Sequence, residues 1–310
     1  MISRSPDKNG AKGFQWLVTL VAAGHLVLVA ALGRLRWEHA AVDLLIAGLA
    51  WAGPAPRRFL RGVFPLYLTG MMLDSQWLWL GLRGRIHTGD LWDLEVALFP
   101  APGGTTWPAW FETRTHAVLD FFCGFSYAAY LYEVFALALL FFFRKHPRFH
   151  LLGWSFLLVN AMGVVTYMLY PAAPPWYVMK YGPGPADLAA LPSPAGTSRF
   201  DALLGIQYFA NFYARNPNVF GAMPSLHAAY PVLAVWQTWR LGRVWRVGTM
   251  AFAALVAFSA VYLQHHYILD VVAGVVAALA ACMAVEYAYS RRELSAPAPV
   301  PLMPGGDSRA

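Results

Sequence analysis

A histidine and an aspartate four residues apart are the first pair in this sequence that could perform chemistry. In H-Y-I-L-D at His266–Asp270, the two side chains share one face if the backbone is helical. The carboxylate can then accept a hydrogen bond from one imidazole nitrogen, which leaves the opposite nitrogen unprotonated. This is the arrangement of a nucleophile with the group that orients it. His265 points about 100° away and has no acid four residues later, so it is the weaker candidate.

A second cluster, G-A-M-P-S-L-H at Gly221–His227, opens another apolar segment. Pro224 can occupy the first helical turn. Ser225 and the free backbone N–H groups of that turn would then face a phosphate, which the helix N-terminus favours electrostatically. His227 is placed to donate a proton to a leaving oxygen.

Metal binding is an alternative use for the three histidines of these clusters, because imidazole is a common zinc ligand. The ligands would be His227, His265 and His266. The sequence on that side offers no second cluster of cysteines or carboxylates, so we predict no metal. Cys123 and Cys282 lie in apolar runs and are predicted to be small buried hydrophobes.

The elements that hold these clusters must lie in a membrane. The chain has 310 residues, of which 58% are hydrophobic and 13% charged, and its mean hydropathy is +0.46. An ordinary globular domain carries about 25% charged residues. A soluble fold of this size would have to hide more apolar surface than one core can hold. The composition also excludes a disordered chain and a disulfide scaffold, and it predicts an all-α, polytopic membrane bundle of six to eight transmembrane helices.

Eight apolar segments approach the roughly 20 residues that a membrane-spanning helix needs. They are Phe14–Leu32, Trp37–Gly53, Val63–Gly81, Ala117–Phe143, Leu151–Tyr170, Ala222–Arg240, Gly248–Gln264 and Tyr267–Tyr289. The second is short and could be re-entrant. The first resembles a signal peptide with a cleavage site at Ala31-Leu32-Gly33, but its length and the spans that follow favour an uncleaved helix.

Loop charges predict how the chain is oriented. If both termini are cytoplasmic, 15 of the 23 Lys and Arg residues lie inside and 8 outside, as the positive-inside rule requires. These charges are topology signals beside anionic lipid, and no nucleic-acid partner is predicted. Two successive segments of 19 residues, each about 28 Å long, then bring both histidine clusters to one depth on the outer face of the plasma (inner) membrane.

Three regions follow from this arrangement. Residues 1–62 are predicted to hold the N-terminal transmembrane helices, 63–292 the catalytic membrane domain and 293–310 a disordered cytoplasmic tail. Two long outer loops, 82–116 and 171–221, belong to the second region. The first suits a segment at the membrane surface, and the second is predicted to be an ordered cap.

Ionisable residues inside spans are costly in lipid, so each is a candidate site residue. Asp74 and Asp120 lie in the outer halves of their spans, where a substrate-binding role and a structural role are both open. Asp43 and Glu286 lie near span boundaries and are expected to snorkel, while Glu133 lies mid-span and is expected to pair internally.

At the two clusters the sequence resembles the type 2 phosphatidic acid phosphatase superfamily of membrane enzymes. Gly221–His227 matches the second family signature in its P-S-L-H form, and His266–Asp270 matches the third, H-x-x-x-D. The resemblance implies a six-helix phosphatase-type core and metal-independent catalysis, and we predict no cofactor. It also implies that His266 forms a phosphohistidine, that Asp270 orients it and that His227 is the general acid.

The chain departs from the common phosphatase pattern at two places. No K-x6-R-P first signature precedes the second outer loop, where A-P-P-W-Y stands instead, and Ser259-Ala260 lacks the usual Arg before the third signature. The A-P-P-W-Y segment and the P-S-L-H spelling resemble the inositol phosphorylceramide synthase branch. Trp176 and Tyr177 in that segment are therefore candidate substrate-binding residues.

Another cation must replace the two lost ones to hold the phosphate. The outer loops offer Lys180, Arg199 and Arg215 for this role, in addition to Ser225. The complete set of candidate substrate-binding residues is Asp120, Asp74, Trp176, Tyr177 and His265.

These features predict a membrane lipid phosphotransferase that works through a phosphohistidine on the outer face. The donor is a phospholipid and the acceptor is a lipid or polyol hydroxyl, with phosphoinositol-type transfer as one form. With water as the acceptor, the same groups make a lipid phosphate phosphatase. A proton-coupled transporter, which would depend on Glu133 and Asp74, and a non-catalytic lipid-binding relative are the alternatives of other classes.

Overall fold

The computed structural model describes residues 8–294, and within them the chain is all-α, as predicted. Its helices are α1 Lys8–Ala31, α2 Trp37–Trp51, α3 Pro54–Asp74, α4 Gly89–Leu98, α5 Trp107–Glu112, α6 Ala117–Phe143, α7 Arg148–Leu169, α8 Pro175–Tyr181, α9 Ser198–Leu204, α10 Tyr208–Ala214, α11 Leu226–Thr238, α12 Arg243–Tyr262 and α13 Ile268–Leu294. Residues 293 and 294 end α13, and the rest of the predicted tail lies outside the described residues.

Five of the described helices are long and apolar enough to cross a membrane: most of α1 and of α13, and all of α6, α7 and α12. Many of their large apolar side chains point away from the protein, among them Leu20, Val27 and Val276. The chain is therefore a multi-pass membrane protein. Helices α2, α3 and α11, which the prediction also counted as spans, are shorter or more charged. At 13 residues, α11 is about 20 Å long.

The core is a bundle of six helices in which α11 lies at the centre. It contacts α6, α7, α12 and α13, while α3 packs on α7, and α1 and α2 pack beside α3. Val134 of α6, Phe156 of α7, Leu233 of α11 and Ala278 of α13 meet in the largest buried cluster. Gly274 of α13 permits a close approach of the main chain that enters α11, because a Cβ there would lie 2.2 Å from the carbonyl oxygen of Ser225.

Several predicted segments have different boundaries in the structure, among them those of α11 and α3. The chain does not become helical at Ala222, because Ser225 is the N-cap of α11 and Pro224 precedes the helix instead of lying in its first turn. Helix α3 begins nine residues before the predicted Val63, at Pro54, which a first helical turn tolerates well. The predicted regional boundary between residues 62 and 63 therefore lies within α3.

The two outer loops are ordered and joined to each other above the bundle. Ala172 donates a backbone hydrogen bond to Phe220 (3.0 Å) and accepts one from Ala222 (3.2 Å). His87 of the first loop donates to Pro171 and accepts from Ala173, each at 2.8 Å. These bonds tie the first loop, the start of the second loop and the segment that enters α11 into one cap.

Candidate active site

The two histidine clusters meet as predicted. His227 lies in the first turn of α11, and His266 lies in the turn between α12 and α13. The distance between His227 Nδ1 and His266 Nε2 is 3.2 Å, so the rings are in direct hydrogen-bond contact. Two imidazoles from distant parts of the chain are therefore side by side, as the prediction of a shared phosphorus atom requires.

A backbone carbonyl orients His266. Its Nδ1 lies 2.9 Å from the carbonyl oxygen of Ala222, and because a carbonyl only accepts, Nδ1 carries the proton. Nε2 therefore carries the lone pair of the neutral ring, and in this structure it accepts the hydrogen bond from His227 Nδ1.

The predicted hydrogen bond between His266 and Asp270 is wrong for this structure. The distance from His266 Nδ1 to Asp270 Oδ2 is 3.6 Å, and Oδ2 accepts instead from the backbone N–H of Tyr267 at 2.8 Å. The prediction assumed a continuous helix, whereas α13 begins only at Ile268. Asp270 is fully buried.

Ser225 is buried as a helix cap and does not line the cavity beside the histidines. Its Oγ accepts from the Ala228 N–H at 3.3 Å, and its own N–H donates to the Asp270 carbonyl at 2.9 Å. The next two backbone N–H groups, of Leu226 and His227, donate to no acceptor in the described part of the chain. Both residues line the cavity, so of the groups predicted to face a phosphate here only these N–H groups belong to residues of its wall.

A cavity of about 640 Å³ opens over the two histidines. One part of its wall is aromatic and the other is polar. The aromatic part includes Tyr127, Tyr130, Tyr167, Tyr213, Tyr230 and Trp176, and the polar part includes Gln76, Ser193, Asn211, Asn216, Asn218 and Arg215. Such a site can hold a polar headgroup and an apolar chain together.

Of the three predicted phosphate-binding cations, only Arg215 lines this cavity. Arg199 Nε donates to Asp120 Oδ1 at 2.7 Å, and the Tyr262 hydroxyl donates to the same oxygen at 2.9 Å. Asp120 thereby joins α6 to α9 and α12 away from the histidines. Lys180 is exposed, and its ammonium lies over the Tyr181 ring.

The candidates on the cap differ in their access to the cavity. Trp176 lines it and donates its backbone N–H to Gln264 in the His266 turn (3.1 Å). Tyr177 does not line it, and its hydroxyl accepts from the Asp187 N–H at 2.7 Å.

His265 lines the cavity but is fixed as a neutral ring. Its Nε2 donates to the Pro194 carbonyl at 3.1 Å, and it stacks on Tyr213 with centroids 4.6 Å apart. Burial, together with the neighbouring His266, lowers the pKa of His265 to about 3, although the bond to Pro194 opposes this shift. A ring that stays neutral and donates to a carbonyl is suited to packing.

Asp74 does not line the cavity. Its carboxylate accepts a hydrogen bond from Arg36 and lies 2.9 Å from His39 Nε2. The expected snorkelling of Asp43 is wrong, because its carboxylate is buried between His25 (2.7 Å) and Tyr67 (2.6 Å).

The other two acids also have defined surroundings. Glu286 lies 3.0 Å from Arg148 at the opposite end of α13. The internal partner expected for Glu133 is absent among the described residues, where its buried Oε2 accepts no hydrogen bond.

Sequence reasoning missed the tyrosines that hold His227. The His227 ring stacks on Tyr127 at 4.1 Å between centroids, and Tyr130 packs against it at 4.4 Å. These residues are three apart on α6, and that helical spacing was the available signal. No group of three or more His, Cys, Asp or Glu side chains in the described part of the chain is placed to hold a metal ion.

Comparison with known proteins assigns the chain to a family. The family model described as the PAP2 superfamily matches residues 94–284, which include both histidine clusters. The chain is 34% identical over 280 residues to phosphoinositol dihydroceramide synthase of Bacteroides thetaiotaomicron, covering 87% of this chain and 90% of that protein.

Fungal proteins are also similar to the chain. The inositol phosphorylceramide synthase of Candida albicans is 31% identical over 227 residues, which are 72% of this chain and 46% of the fungal protein. Its counterpart in Schizosaccharomyces pombe, a catalytic subunit, is 34% identical over 170 residues, or 53% of this chain and 40% of that protein. The chain thus spans less than half the length of these fungal relatives. No solved structure matches it.

The paired signatures, the six-helix core and these similarities lead to one conclusion. The chain belongs to the PAP2 superfamily and is a lipid phosphotransferase of the inositol phosphorylceramide synthase-like branch.

Proposed function

We propose that the chain transfers a phosphoinositol-type headgroup from a phospholipid to the hydroxyl of a ceramide-type lipid, through a phosphohistidine on His266. The 3.2 Å contact between His266 Nε2 and His227 Nδ1 at the base of the cavity carries this proposal. The names of the bacterial and fungal relatives support the choice of headgroup and acceptor.

In the first half-reaction, His266 Nε2 attacks the phosphorus of the donor phosphodiester. The N–P bond forms while the P–O bond to diacylglycerol breaks, and protonated His227 donates its proton to the departing oxygen. Because the two rings touch each other in this structure, they must separate to admit the phosphorus and its leaving oxygen. The ester then lies between the nucleophile and the acid.

In the second half-reaction, the acceptor hydroxyl attacks the phosphorus of the phosphohistidine. Neutral His227 takes the hydroxyl proton as the O–P bond forms and the N–P bond breaks. The products are the new phosphodiester and an enzyme with His227 protonated again. Both half-reactions therefore use the same two rings.

The non-bridging oxygens of the phosphoryl group need positive charge and N–H donors in both steps. Arg215 at the cavity wall and the free N–H groups of Leu226 and His227 supply them in this proposal. The positive end of α11 adds to their effect.

Replacing Arg215 by Ala is expected to lower kcat/KM for the donor by about 10- to 100-fold, since a charge-assisted hydrogen bond contributes about 1.5–3 kcal/mol. Arg215→Lys should recover part of the loss, because Lys keeps the positive charge but lacks the planar guanidinium group that can donate two hydrogen bonds to one phosphate. Lys180→Ala is the matched control and should resemble the unmodified chain. Equal kinetics for Arg215→Ala and Lys180→Ala would remove Arg215 from the phosphate site.

The aromatic wall favours transfer over hydrolysis, because it offers an apolar lipid a larger contact than it offers water. The missing phosphatase first signature agrees with this preference. The lipid phosphate phosphatase remains the second candidate function, since the same two histidines would serve water as the acceptor.

We further propose that the site faces the outside of the plasma (inner) membrane and that both termini are cytoplasmic. The division of Lys and Arg residues, 15 against 8, supports this orientation.

The deciding experiment follows the phosphate to its acceptor. The full chain, reconstituted in vesicles, is given phosphatidylinositol labelled in its phosphate, with or without ceramide. We expect a labelled lipid product that requires ceramide, little label in water, and no product from the His266→Ala variant. Label released as water-soluble inositol phosphate at the same rate with and without ceramide would instead establish the phosphatase. Phosphatidylcholine as the donor tests the headgroup.

A further inference from the structure

The first outer loop carries a buried carboxylate that the proposed mechanism does not use. Glu95 of α4 is completely buried and lies 173 residues before the helix whose N-terminus it contacts. Its Oε1 accepts from the Ile268 N–H at 2.8 Å, and its Oε2 accepts from the Leu269 N–H at 3.1 Å. These donors follow the proposed nucleophile, His266, by two and three residues.

Glu95 completes the N-terminus of α13. A helix begins with four N–H groups that have no acceptor within the helix. The Asp270 carboxylate accepts from Tyr267, and Glu95 accepts from the next two residues. Helix caps are usually supplied by a residue close in sequence, whereas Glu95 lies on α4, 173 residues before the start of α13.

The charge of Glu95 suits this position. A carboxylate is stabilised by the positive end of a helix, and in the described residues no Lys or Arg forms a salt bridge with Glu95. Burial raises the pKa of Glu95, while its two backbone hydrogen bonds lower it. The carboxylate therefore acts on backbone groups and not on a cation.

Helix α4 also contacts the segment whose carbonyl group orients the His266 ring. Leu91, one helical turn before Glu95, packs in a buried cluster with Ala222 and Tyr267. The Ala222 carbonyl accepts the hydrogen bond from His266 Nδ1. Thus α4 touches both the segment that orients the ring and the turn that carries it.

We propose that Glu95 is the positioning residue of the nucleophile, which sets the place of His266 Nε2 through the start of α13. This inference rests on the proposed function of His266. Glu95 does not touch the cavity, so it acts on the chemical step and not on lipid binding. A shift of about 1 Å in a reacting atom can lower a rate by about 100-fold.

The test compares Glu95→Gln and Glu95→Asp with the unmodified chain. Gln keeps one carbonyl oxygen but presents an NH₂ group to the second backbone N–H, so one cap bond is lost. We expect kcat and the single-turnover rate of phosphohistidine formation, both per folded enzyme, to fall together by about 10- to 100-fold. KM for donor and acceptor should stay within about threefold. Asp keeps both oxygens and should recover part of the rate.

Glu112→Gln is the matched control, because Glu112 is an exposed acid in the same outer loop. It should leave all these values unchanged. A normal phosphorylation rate per folded Glu95→Gln enzyme, or a loss confined to KM, would overturn the positioning role even if the variant is less stable. An unmodified chain that forms no phosphohistidine would overturn the proposed function and this inference with it.

Discussion

Replacement of His266 by Ala is expected to abolish turnover, with a loss of about 10⁴-fold or more, because in the proposed mechanism His266 is the group that forms the covalent intermediate. His265 is not expected to substitute, since its Nε2 is bonded to the Pro194 carbonyl and its ring is stacked on Tyr213. The unmodified chain should trap labelled phosphate from the donor in an adduct that is acid-labile and alkali-stable. The variant should show no such adduct.

His116→Asn is the control for this loss. His116 is exposed at the start of α6, where its side chain accepts from the Val118 N–H, and Asn preserves a capping side chain. Activity and labelling should be unchanged in that variant. An acid-stable adduct, or labelling that persists in His266→Ala, would assign the nucleophile to another residue.

Replacement of His227 by Ala is expected to depend strongly on the leaving group. With a diacylglycerol leaving group, phosphohistidine formation should slow by about 10²- to 10⁴-fold, because the alkoxide leaves without its proton. With a nitrophenyl ester of the same headgroup, the phenolate needs no proton, and the rate should return to within about tenfold of the unmodified chain. The intermediate should then accumulate, since the acceptor also lacks its base.

His266→Ala is the contrasting variant, because a better leaving group cannot restore a missing nucleophile. If His227→Ala lost the same factor with both donors, His227 would serve to hold the phosphate or the fold and not to transfer a proton. Single-turnover kinetics with the two donors separate these outcomes.

The helices and the meeting of the two histidines could be predicted because both depend on local patterns. Apolar runs gave the bundle, and the lengths of successive segments placed His227 and His266 at one depth. The lengths themselves were wrong for α11, whose start is set by the Ser225 cap. The capping preference of Ser is visible in the sequence, but Ser225 at a helix start is also suited to bind a phosphate, and the local pattern does not separate the two roles.

The long-range pairs could not be predicted from local patterns. Arg199 and Arg215 are equivalent in sequence, and only the fold shows that Asp120 occupies the first, 79 residues away. Glu95 was one acid among several in an outer loop, and nothing near it indicated that its partners lie on α13. Loops lack the regular hydrophobic repeat of helices, so the sequence does not show which way their side chains point or which residues they contact.

Ser225 and Asp270 join the starts of α11 and α13 through their main chains, and Gly274 leaves no free space between these helices. Neither helix can slide along the other without breaking that bond or that contact. The main chain at the base of the cavity is therefore fixed, so a two-tailed lipid that needs more room than the separating rings of His227 and His266 provide would gain it most readily from the roof, residues 171–221. Lipid exchange and ester cleavage would then depend on different parts of the molecule. If the movement of residues 171–221 is slow, it would limit turnover without changing the rate of the bond-breaking step.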